Sequence, residues 1–265
     1  MGRLDGVVTL VTGAGRGIGR AIARRYAAEG ARVAITDVHE RNLQSALEEL
    51  RAAGAEAEAL RSDVGDPAQS REMVERVAHR FGRLDVLVNN AGVVRVRPLL
   101  DLTPEDWDYV NDVNARGLFF ALQAAARRML TQAPLGEGRP QGKIVNIASI
   151  GGRIGRPMFA AYAASKAAVI SITQSGASGL APQVTVNAIC PGVVDTEMWK
   201  QIDREWTESD GRPTGSAWRD RIAGIPMKRP ETAQDVAGMA VFLASADSDY
   251  VTGQSYHVDG GLVMV

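Results

Sequence analysis

Residues 7–19 read VVTLVTGAGRGIG, an apolar run followed by a glycine-rich turn. The run Val7–Val11 predicts a buried strand, and Ile18–Glu29 predicts the helix that follows it. Glycines in such a turn allow backbone N–H groups and the helix N-terminus to approach a pyrophosphate closely. The spacing is Gly-x-x-x-Gly-x-Gly rather than Gly-x-Gly-x-x-Gly. A purely structural turn therefore remains an alternative to a nucleotide-binding loop.

The alternation of strand and helix continues along the rest of the chain. Strands are predicted at 32–36, 56–61, 86–88, 143–148, 184–189 and 255–258, and helices at 41–53, 67–81, 104–130, 159–180 and 233–244. The long helix is expected to be bent or interrupted near Asn114. This order predicts an α/β fold, a parallel sheet with helices on both faces. No linker divides residues 1–265, and the stretch 195–230 is predicted as an irregular excursion that covers a binding site.

The composition excludes several classes of function. Lys+Arg number 30 and Asp+Glu number 31, and this balance disfavours a nucleic-acid or anionic-membrane partner. The single cysteine, Cys190, excludes an intrachain disulfide, and with three scattered histidines it forms no recognisable metal-ligand cluster. The sequence contains no apolar run of about 18 residues and no signal-peptide pattern. We therefore expect a cytoplasmic protein without a metal or membrane partner.

Two charged residues bear on the identity of the nucleotide. Asp37 ends the second predicted strand, where a carboxylate can bind both hydroxyls of an adenosine ribose and would repel a 2′-phosphate. A helix cap is its structural alternative. Arg16, within the glycine loop, could instead meet a 2′-phosphate. Because the repulsion by a carboxylate in a partly dry site is hard to offset, NAD is the predicted cofactor. Asp63, after the third strand, could bind the adenine amino group or cap the helix that starts near Pro67.

The most specific signal is YAASK at residues 162–166, on a predicted helix. A spacing of i, i+4 places the Tyr162 phenol and the Lys166 ammonium on one face. The positive charge is expected to lower the pKa of Tyr162 from about 10, so that the phenol can act as a general acid or base. Ser149 ends the preceding strand, at the carboxyl edge where open α/β sheets bind ligands. Two surface neighbours without a catalytic role are the alternative reading of Tyr162 and Lys166.

These motifs occur together in the order and approximate spacing of a known family. TGAGRGIG (12–19), NNAG (89–92), NARG around Asn114, Ser149, YAASK (162–166) and PG (191–192) resemble the short-chain dehydrogenase/reductase family over essentially the whole chain. The resemblance implies a single Rossmann-type, doubly wound domain with a parallel sheet of seven strands. It implies hydride transfer between a nicotinamide and an alcohol or carbonyl, without a metal in the chemical step. It also implies a homotetramer assembled through the helices that hold NARG and YAASK.

The resemblance assigns a role to each matched residue. Tyr162 would be the catalytic acid or base, and Lys166 would lower the pKa of Tyr162 and bind the nicotinamide ribose. Ser149 would bind the substrate oxygen. Asn114 would hold a water in the proton relay, with Asn111 as a nearby rival. The cofactor site would comprise Gly13, Arg16, Gly17, Ile18, Gly19, Asp37, Asp63, Val64, Asn90, Gly92, Tyr162, Lys166, Pro191, Gly192, Val194 and Thr196.

Within the family, the chain looks most like bacterial polyol dehydrogenases of the sorbitol/galactitol type. The segments that carry this likeness are SIGGR (149–153), YAASKAAVISITQS (162–175) and DYVTGQSYHVDGG (249–261). The likeness implies oxidation of a polyol at a secondary hydroxyl. Gly151 and Gly152 would leave room beside the reacting carbon, and Arg153 would donate hydrogen bonds to distal hydroxyls. The substrate pocket would be lined by Ser149, Gly151, Arg153, Met158, Phe159, Tyr162, Gly192 and Trp199.

Two other functions remain open at this stage. A 3-oxoacyl-carrier-protein reductase shares nearly every motif, although Asp37 weakens this reading because such reductases usually resemble NADP users. A non-catalytic NAD-binding sensor would keep the glycine loop, but the complete set Asn114, Ser149, Tyr162 and Lys166 argues against it.

Overall fold

Seven short segments form one sheet in a computed structural model, which describes residues 2–264. The strands are β1 (Val8–Thr12), β2 (Arg32–Asp37), β3 (Ala57–Arg61), β4 (Val86–Asn89), β5 (Gly142–Ile147), β6 (Val184–Pro191) and β7 (Ser255–Val258). All neighbouring pairs are parallel, in the order β3-β2-β1-β4-β5-β6-β7. Every residue of β1, β4, β5 and β6 is buried, which explains the continuous apolar runs. The predicted seven-stranded parallel sheet is confirmed.

Helices cover both faces of this sheet. They are α1 (Gly17–Ala28), α2 (Glu40–Ala52), α3 (Pro67–Phe81), α4 (Pro104–Asn111), α5 (Leu118–Met129), α6 (Ala160–Leu180), α7 (Glu197–Asp210), α8 (Ser216–Ala223) and α9 (Ala233–Ala244). The first core lies under α1, α2 and α9, and the second lies under α3, α5 and α6. The buried Tyr26 hydroxyl of α1 donates a 2.9 Å hydrogen bond to the Ala240 carbonyl of α9. Among residues 2–264, no helix is long and apolar enough to cross a bilayer.

The predicted interruption near Asn114 is a π-helical turn. This turn spans Asp112–Gly117 and joins α4 to α5. The extra residue of a π-turn changes the phase of a helix. In this position it accompanies a fully buried Asn114. A Cβ atom at Gly117 would overlap the carbonyl of Val64, so the close approach of the turn to the segment after β3 requires glycine.

The prediction of an irregular stretch at 195–230 is wrong, because most of it forms α7 and α8. Trp199, Ile202 and Trp206 recur at helical spacing, and this face of α7 packs on Val94 and neighbouring apolar side chains. The polar composition concealed this narrow apolar stripe. Asp203 of α7 is buried and accepts the backbone N–H of Trp218 at 2.9 Å, which ties α8 to α7.

The parallel arrangement decides where a ligand can bind. The connection after β1 leads into α1 on one face, whereas the connection after β4 leads into α4 and α5 on the other face. Because β1 and β4 are neighbours, their diverging connections open a crevice at the carboxyl edge of the sheet.

Candidate active site

A cavity of about 380 Å³ lies along this carboxyl edge. Its walls come from the segments that follow the seven strands, from α4, α6 and α8, and from the start of α7. Most of the residues that the sequence singled out line it: Gly13, Arg16, Gly17, Ile18, Asp37, Asp63, Val64, Asn90, Gly92, Ser149, Gly151, Phe159, Tyr162, Lys166, Pro191, Gly192, Val194, Thr196 and Trp199. The cavity therefore brings together the glycine loop, the acidic residues that follow β2 and β3, and the YAASK helix.

The glycine loop lies against the segment after β4 with no room for side chains. Gly13 has a φ of +63°, and a Cβ atom there would lie 2.8 Å from the Cα atom of Ala91. Gly19 is buried beside Asn90 and does not line the cavity, so the structure gives it a packing role. The Asn90 amide donates hydrogen bonds to the carbonyls of Thr12 and Gly13 at 2.8 and 3.0 Å. The packing on Ala91 and Asn90 therefore requires glycine at position 13, and the backbone of Gly13 and Gly17 faces the cavity, an arrangement that suits a pyrophosphate.

Asp37 lies at the end of β2, next to the glycine loop. Its Oδ2 accepts the Gly15 N–H at 3.0 Å, and its Oδ1 accepts the His39 N–H at 2.9 Å. Helix α2 begins after His39 and has no side-chain cap. The carboxylate is therefore held beside the loop, within the cavity, rather than capping the first turn of α2.

Asp63 and Val64 line the same end of the cavity. The Asp63 carboxylate accepts the Gly65 N–H at 2.9 Å. The cap of α3 is a different residue, Asp66, which accepts the Ala68 N–H at 2.8 Å. The alternative reading of Asp63 as the cap of that helix is therefore wrong.

Ser149 and Tyr162 meet beside Gly151. The Ser149 hydroxyl accepts the Gly151 N–H at 3.0 Å and caps a short 3₁₀ turn, Ile150–Gly152. A Cβ atom at Gly151 would lie 3.4 Å from Ser149 Oγ and 3.5 Å from the Tyr162 ring. Gly151 therefore leaves open space between the two hydroxyl-bearing side chains. Gly152 does not, because its Cα faces the backbone of Lys166, where a Cβ atom would lie 2.6 Å from the carbonyl.

Burial controls the charges of the Tyr162–Lys166 pair. Lys166 is 4% exposed, and its ammonium donates a 2.7 Å hydrogen bond to the Ile147 carbonyl. Burial lowers the pKa of Lys166 to about 8. The Lys166 nitrogen lies 5.7 Å from the centre of the Tyr162 ring. Burial raises the pKa of Tyr162, opposed by the Ser149 hydroxyl, so the expected lowering by Lys166 is not what this arrangement shows.

Asn114 supports the site from behind the cavity wall. Its side-chain nitrogen donates to the Val93 carbonyl at 2.9 Å and to Ser165 Oγ at 3.0 Å, and its oxygen accepts the Val93 N–H at 2.8 Å. Asn114 does not itself line the cavity. Its rival Asn111 donates to the Trp107 carbonyl within α4, at 2.9 Å, and takes no part in the site.

Two residues expected in the substrate pocket lie outside the cavity lining. Arg153 is exposed. Burial raises the pKa of the Cys190 thiol, and the charge of Arg153 opposes this rise. Met158 packs against the apolar cluster around Phe159 and Ile202 and has a φ of +72°, in the left-handed region.

Comparison with known proteins shows similarity along the whole chain. A family model described as Enoyl-(Acyl carrier protein) reductase matches residues 13–263. A sorbitol dehydrogenase of Cereibacter sphaeroides is 42% identical over 260 residues, covering 98% of both proteins. A galactitol 2-dehydrogenase of Agrobacterium fabrum is also 42% identical over 260 residues, again covering 98% of both.

Solved structures share the same architecture. An NAD⁺-bound xylitol dehydrogenase superposes with a TM-score of 0.91 and 34% identity, over 97% of this chain and 99% of that chain. A variant of actinorhodin polyketide ketoreductase with NADPH gives a TM-score of 0.91 and 37% identity, over 99% of each chain. Similar folds therefore hold either nicotinamide cofactor.

Sequence reasoning missed several residues of the site. Arg156, Arg221 and Leu262 line the cavity, although they lie on three separate segments. Glu231 lies behind it. These residues carry no motif, and only the path of the chain between β5 and α6, and after β6, brings them to the cavity.

Glu231 fixes the segment that follows β6. Its Oε2 accepts the Gly192 N–H at 2.7 Å, and its own N–H donates to the Val193 carbonyl at 2.9 Å. Its carbonyl accepts the Asp195 N–H at 2.9 Å. The side chain is 6% exposed, and its Oε1 has no hydrogen-bond partner among residues 2–264. Burial raises the pKa of Glu231 from 4.5 to about 8, aided by the nearby charges of Asp235 and Asp259.

This raised pKa predicts a specific dependence of stability on pH. Between pH 4.5 and about 8 the folded protein keeps a proton on Glu231 that the unfolded chain releases, so the contribution to stability falls as pH rises. In Glu231→Gln that loss is absent. The melting temperature of Glu231→Gln relative to the unsubstituted protein should therefore increase from pH 5 to about pH 8, as measured by circular dichroism. The exposed Glu137→Gln is the matched control, and parallel curves for the Glu231 variant and the parent protein would contradict the assignment.

Proposed function

The chain belongs to the short-chain dehydrogenase/reductase family, and on this basis we propose that it interconverts a secondary alcohol and a ketone with NAD(H). The observation that carries the proposal is the meeting of Ser149, Tyr162 and Lys166 in one cavity with a dinucleotide-type glycine loop. We further propose that residues 1–265 act as one catalytic domain in the cytoplasm, with the segment 195–230 forming part of the substrate site.

The residues present fit a nicotinamide dinucleotide. The glycine loop would hold the pyrophosphate, Asp37 the adenosine ribose, and Asp63 with Val64 the adenine. Lys166 and Asn90 with Gly92 would border the nicotinamide half, together with Pro191, Gly192, Val194 and Thr196. The position of Asp37 favours NAD over NADP, because its carboxylate would repel a 2′-phosphate.

The chemistry follows from the three side chains at the carboxyl edge of β5. When bound, the nicotinamide supplies the acceptor or donor of the hydride. Ser149 donates a hydrogen bond to the substrate oxygen, and Tyr162 takes the hydroxyl proton in oxidation or returns it in reduction. Lys166, with a pKa of about 8, keeps a positive charge near neutral pH and would favour the anionic form of the phenol against the effect of burial, which raises the pKa of Tyr162. Asn114 would hold a water that passes the proton outward.

We propose a polar polyol as the substrate. The similarity to proteins named sorbitol dehydrogenase and galactitol 2-dehydrogenase supports this choice. The lining supports it too, because Ser149, Arg156 and Arg221 offer hydrogen-bond donors to hydroxyl groups. The alternative substrate is a 3-oxoacyl thioester, whose acyl chain would require a continuous apolar channel.

We also propose a homotetramer. The helices to which the resemblance assigns subunit contacts keep large apolar side chains exposed: Trp107 and Tyr109 of α4 and Phe119 of α5 are 43%, 41% and 41% exposed. Exposed apolar patches of this kind are typical of protein interfaces. Sedimentation equilibrium measures the assembly directly.

The cofactor preference can be tested at Asp37. We expect the unsubstituted protein to have a higher kcat/KM with NAD than with NADP. Asp37→Ala should move this ratio toward NADP by at least about tenfold, since the carboxylate no longer repels the 2′-phosphate and Arg16 can bind it. Asp101→Ala, at an exposed position outside the cavity, is the control. A parent protein that uses NADP equally well would contradict the assignment.

The acid–base role can be tested at Tyr162. Tyr162→Phe removes the exchangeable proton but keeps the ring, so kcat should fall by about 10²–10⁴-fold while NADH binding, followed by fluorescence, persists. Lys166→Met should lower turnover and cofactor affinity together. Tyr250→Phe, at an exposed position, controls for loss of a phenol elsewhere. Near-normal turnover by Tyr162→Phe would refute the role.

The substrate class can be tested with matched alcohols. With saturating NAD, kcat/KM for sorbitol or galactitol should exceed that for a simple secondary alcohol of the same chain length by at least about tenfold. The simple alcohol leaves hydrogen-bond donors of the site without a partner. A higher kcat/KM with the simple alcohol, or with a 3-oxoacyl thioester and NADH, would contradict the polyol as substrate. The proposed reaction type would still hold.

A further inference from the structure

Two arginines line the cavity in addition to Arg16 of the glycine loop. Arg156 lies between the 3₁₀ turn after β5 and α6, and Arg221 lies on α8. Both side chains are only partly exposed. Burial lowers the pKa of Arg221, and the positive charge of Arg156 lowers it further. The two guanidinium groups therefore repel each other. An arginine remains protonated under such conditions, so the cavity wall carries two positive charges.

Neither guanidinium forms an ion pair in the part of the chain that the structure describes, and the charge of Asp220 offsets that of Arg221 only in part. No carboxylate of residues 2–264 lies within 4.0 Å of Arg156 or Arg221. The aspartate next to Arg221 in the sequence, Asp220, is held by Arg212 at 2.6 Å.

Other arginines near this side of the site are neutralised. Arg95 pairs with Asp106 at 3.1 Å, and Arg97 lies 3.6 Å from the same carboxylate. The contrast indicates that Arg156 and Arg221 lack the close ion pairs that Arg95 and Arg97 form.

The carboxylates of the cavity lie elsewhere. Asp37 and Asp63 accept backbone N–H groups at the adenosine end. Glu197 is exposed and pairs with Lys200 at 2.6 Å. Apart from Lys166 and from Arg16 of the glycine loop, the charged side chains left for a substrate in this lining are therefore Arg156 and Arg221.

A row of aromatic rings connects Arg221 to the catalytic tyrosine. The Tyr162 and Phe159 ring centres are 6.5 Å apart, and those of Phe159 and Trp206 are 5.4 Å apart. The Arg221 guanidinium lies 5.1 Å from the centre of the Trp206 ring. A molecule whose reacting carbon lies at Tyr162 would thus have to extend over several atoms to reach Arg221.

We propose that the substrate carries an anionic group, a carboxylate or a phosphate, several atoms from the reacting hydroxyl, and that Arg156 and Arg221 bind this group. The proposal rests on the proposed function, since it specifies the substrate of the same site. Guanidinium groups match the planar geometry of a carboxylate and the oxygens of a phosphate with paired N–H donors. Partial burial strengthens the attraction, and an anion offsets the repulsion between the two arginines. A sugar acid, with hydroxyls for the donors near Tyr162 and a carboxylate for the arginines, fits both ends of the site.

The first experiment compares six-carbon substrates with and without an anionic group at one end. Gluconate and sorbitol have the same chain length, and sorbitol 6-phosphate presents a phosphate in place of the carboxylate. One of the two anions should exceed sorbitol in kcat/KM by at least about tenfold, and the better anion identifies the source of the charge. High salt should lower kcat/KM for the anion more than for sorbitol. A value for sorbitol that equals or exceeds both anions overturns the proposal.

The second experiment assigns the effect to the two arginines. In Arg156→Gln and in Arg221→Gln, the ratio of kcat/KM for the anion to kcat/KM for sorbitol should fall by about tenfold, mainly through KM of the anion. Arg156→Lys and Arg221→Lys keep the charge and should restore part of the ratio. Arg71→Gln, at an exposed position of α3 outside the cavity, should leave the ratio unchanged.

The outcomes separate the two proposals. No turnover of any alcohol or ketone with either nicotinamide cofactor would defeat the proposed function. Turnover of neutral polyols with an unaltered ratio in both Gln variants would defeat only the anion proposal. A changed assembly state in sedimentation, without a changed ratio, would assign the arginines to a subunit interface and would also overturn it.

Discussion

Parallel pairing of all seven strands places their carboxyl ends at one edge of the sheet, and the candidate site depends on this constraint. The glycine loop, Asp37, Ser149 and Pro191 come from four different strands, yet each begins where its strand ends. The diverging connections of β1 and β4 keep the crevice open, because no helix crosses it at that point. The π-helical turn then brings Asn114 against the segment after β4, where it braces the wall of the cavity.

Desolvation is the main electrostatic influence within this edge. The same burial lowers the pKa of Lys166, raises that of Tyr162 and raises that of Glu231. Each group is shifted toward its neutral form, although Lys166, with a pKa of about 8, still carries a positive charge near neutral pH. A charged ligand would change these balances, because in a partly dry site an added charge is poorly screened.

The sequence predicts those parts of the site that depend on local patterns. The glycine loop, Ser149 at a strand end and the i, i+4 pair Tyr162–Lys166 are each readable from a few neighbouring residues, and the structure brings them into one cavity. The helices α7 and α8 were missed because a single apolar stripe is hidden in a polar, turn-rich composition.

Other features that the sequence does not predict are the direction of a side chain and the degree to which it is buried. Arg153 and Arg156 lie three residues apart between Ser149 and α6, and only the path of the turns decides which of them lines the cavity. The pKa of Tyr162 depends on how much of the phenol is buried, which an interval between two residues does not encode. Glu231 is distant in sequence from Gly192, whose N–H it accepts.

The bonds that Glu231 makes have a bearing on how such proteins diversify. Val194 and Glu231 pair side by side, so the chain leaves the body for α7 and α8 and returns to it at adjacent points. A segment whose two ends are hydrogen-bonded to each other in this way can be exchanged, lengthened or shortened during evolution without moving the strands that carry Ser149 and Pro191. Arg221 belongs to that segment, whereas Ser149, Tyr162 and Lys166 do not. The part of the cavity wall that α7 and α8 supply can thus change while the wall around Ser149 and Tyr162 is retained.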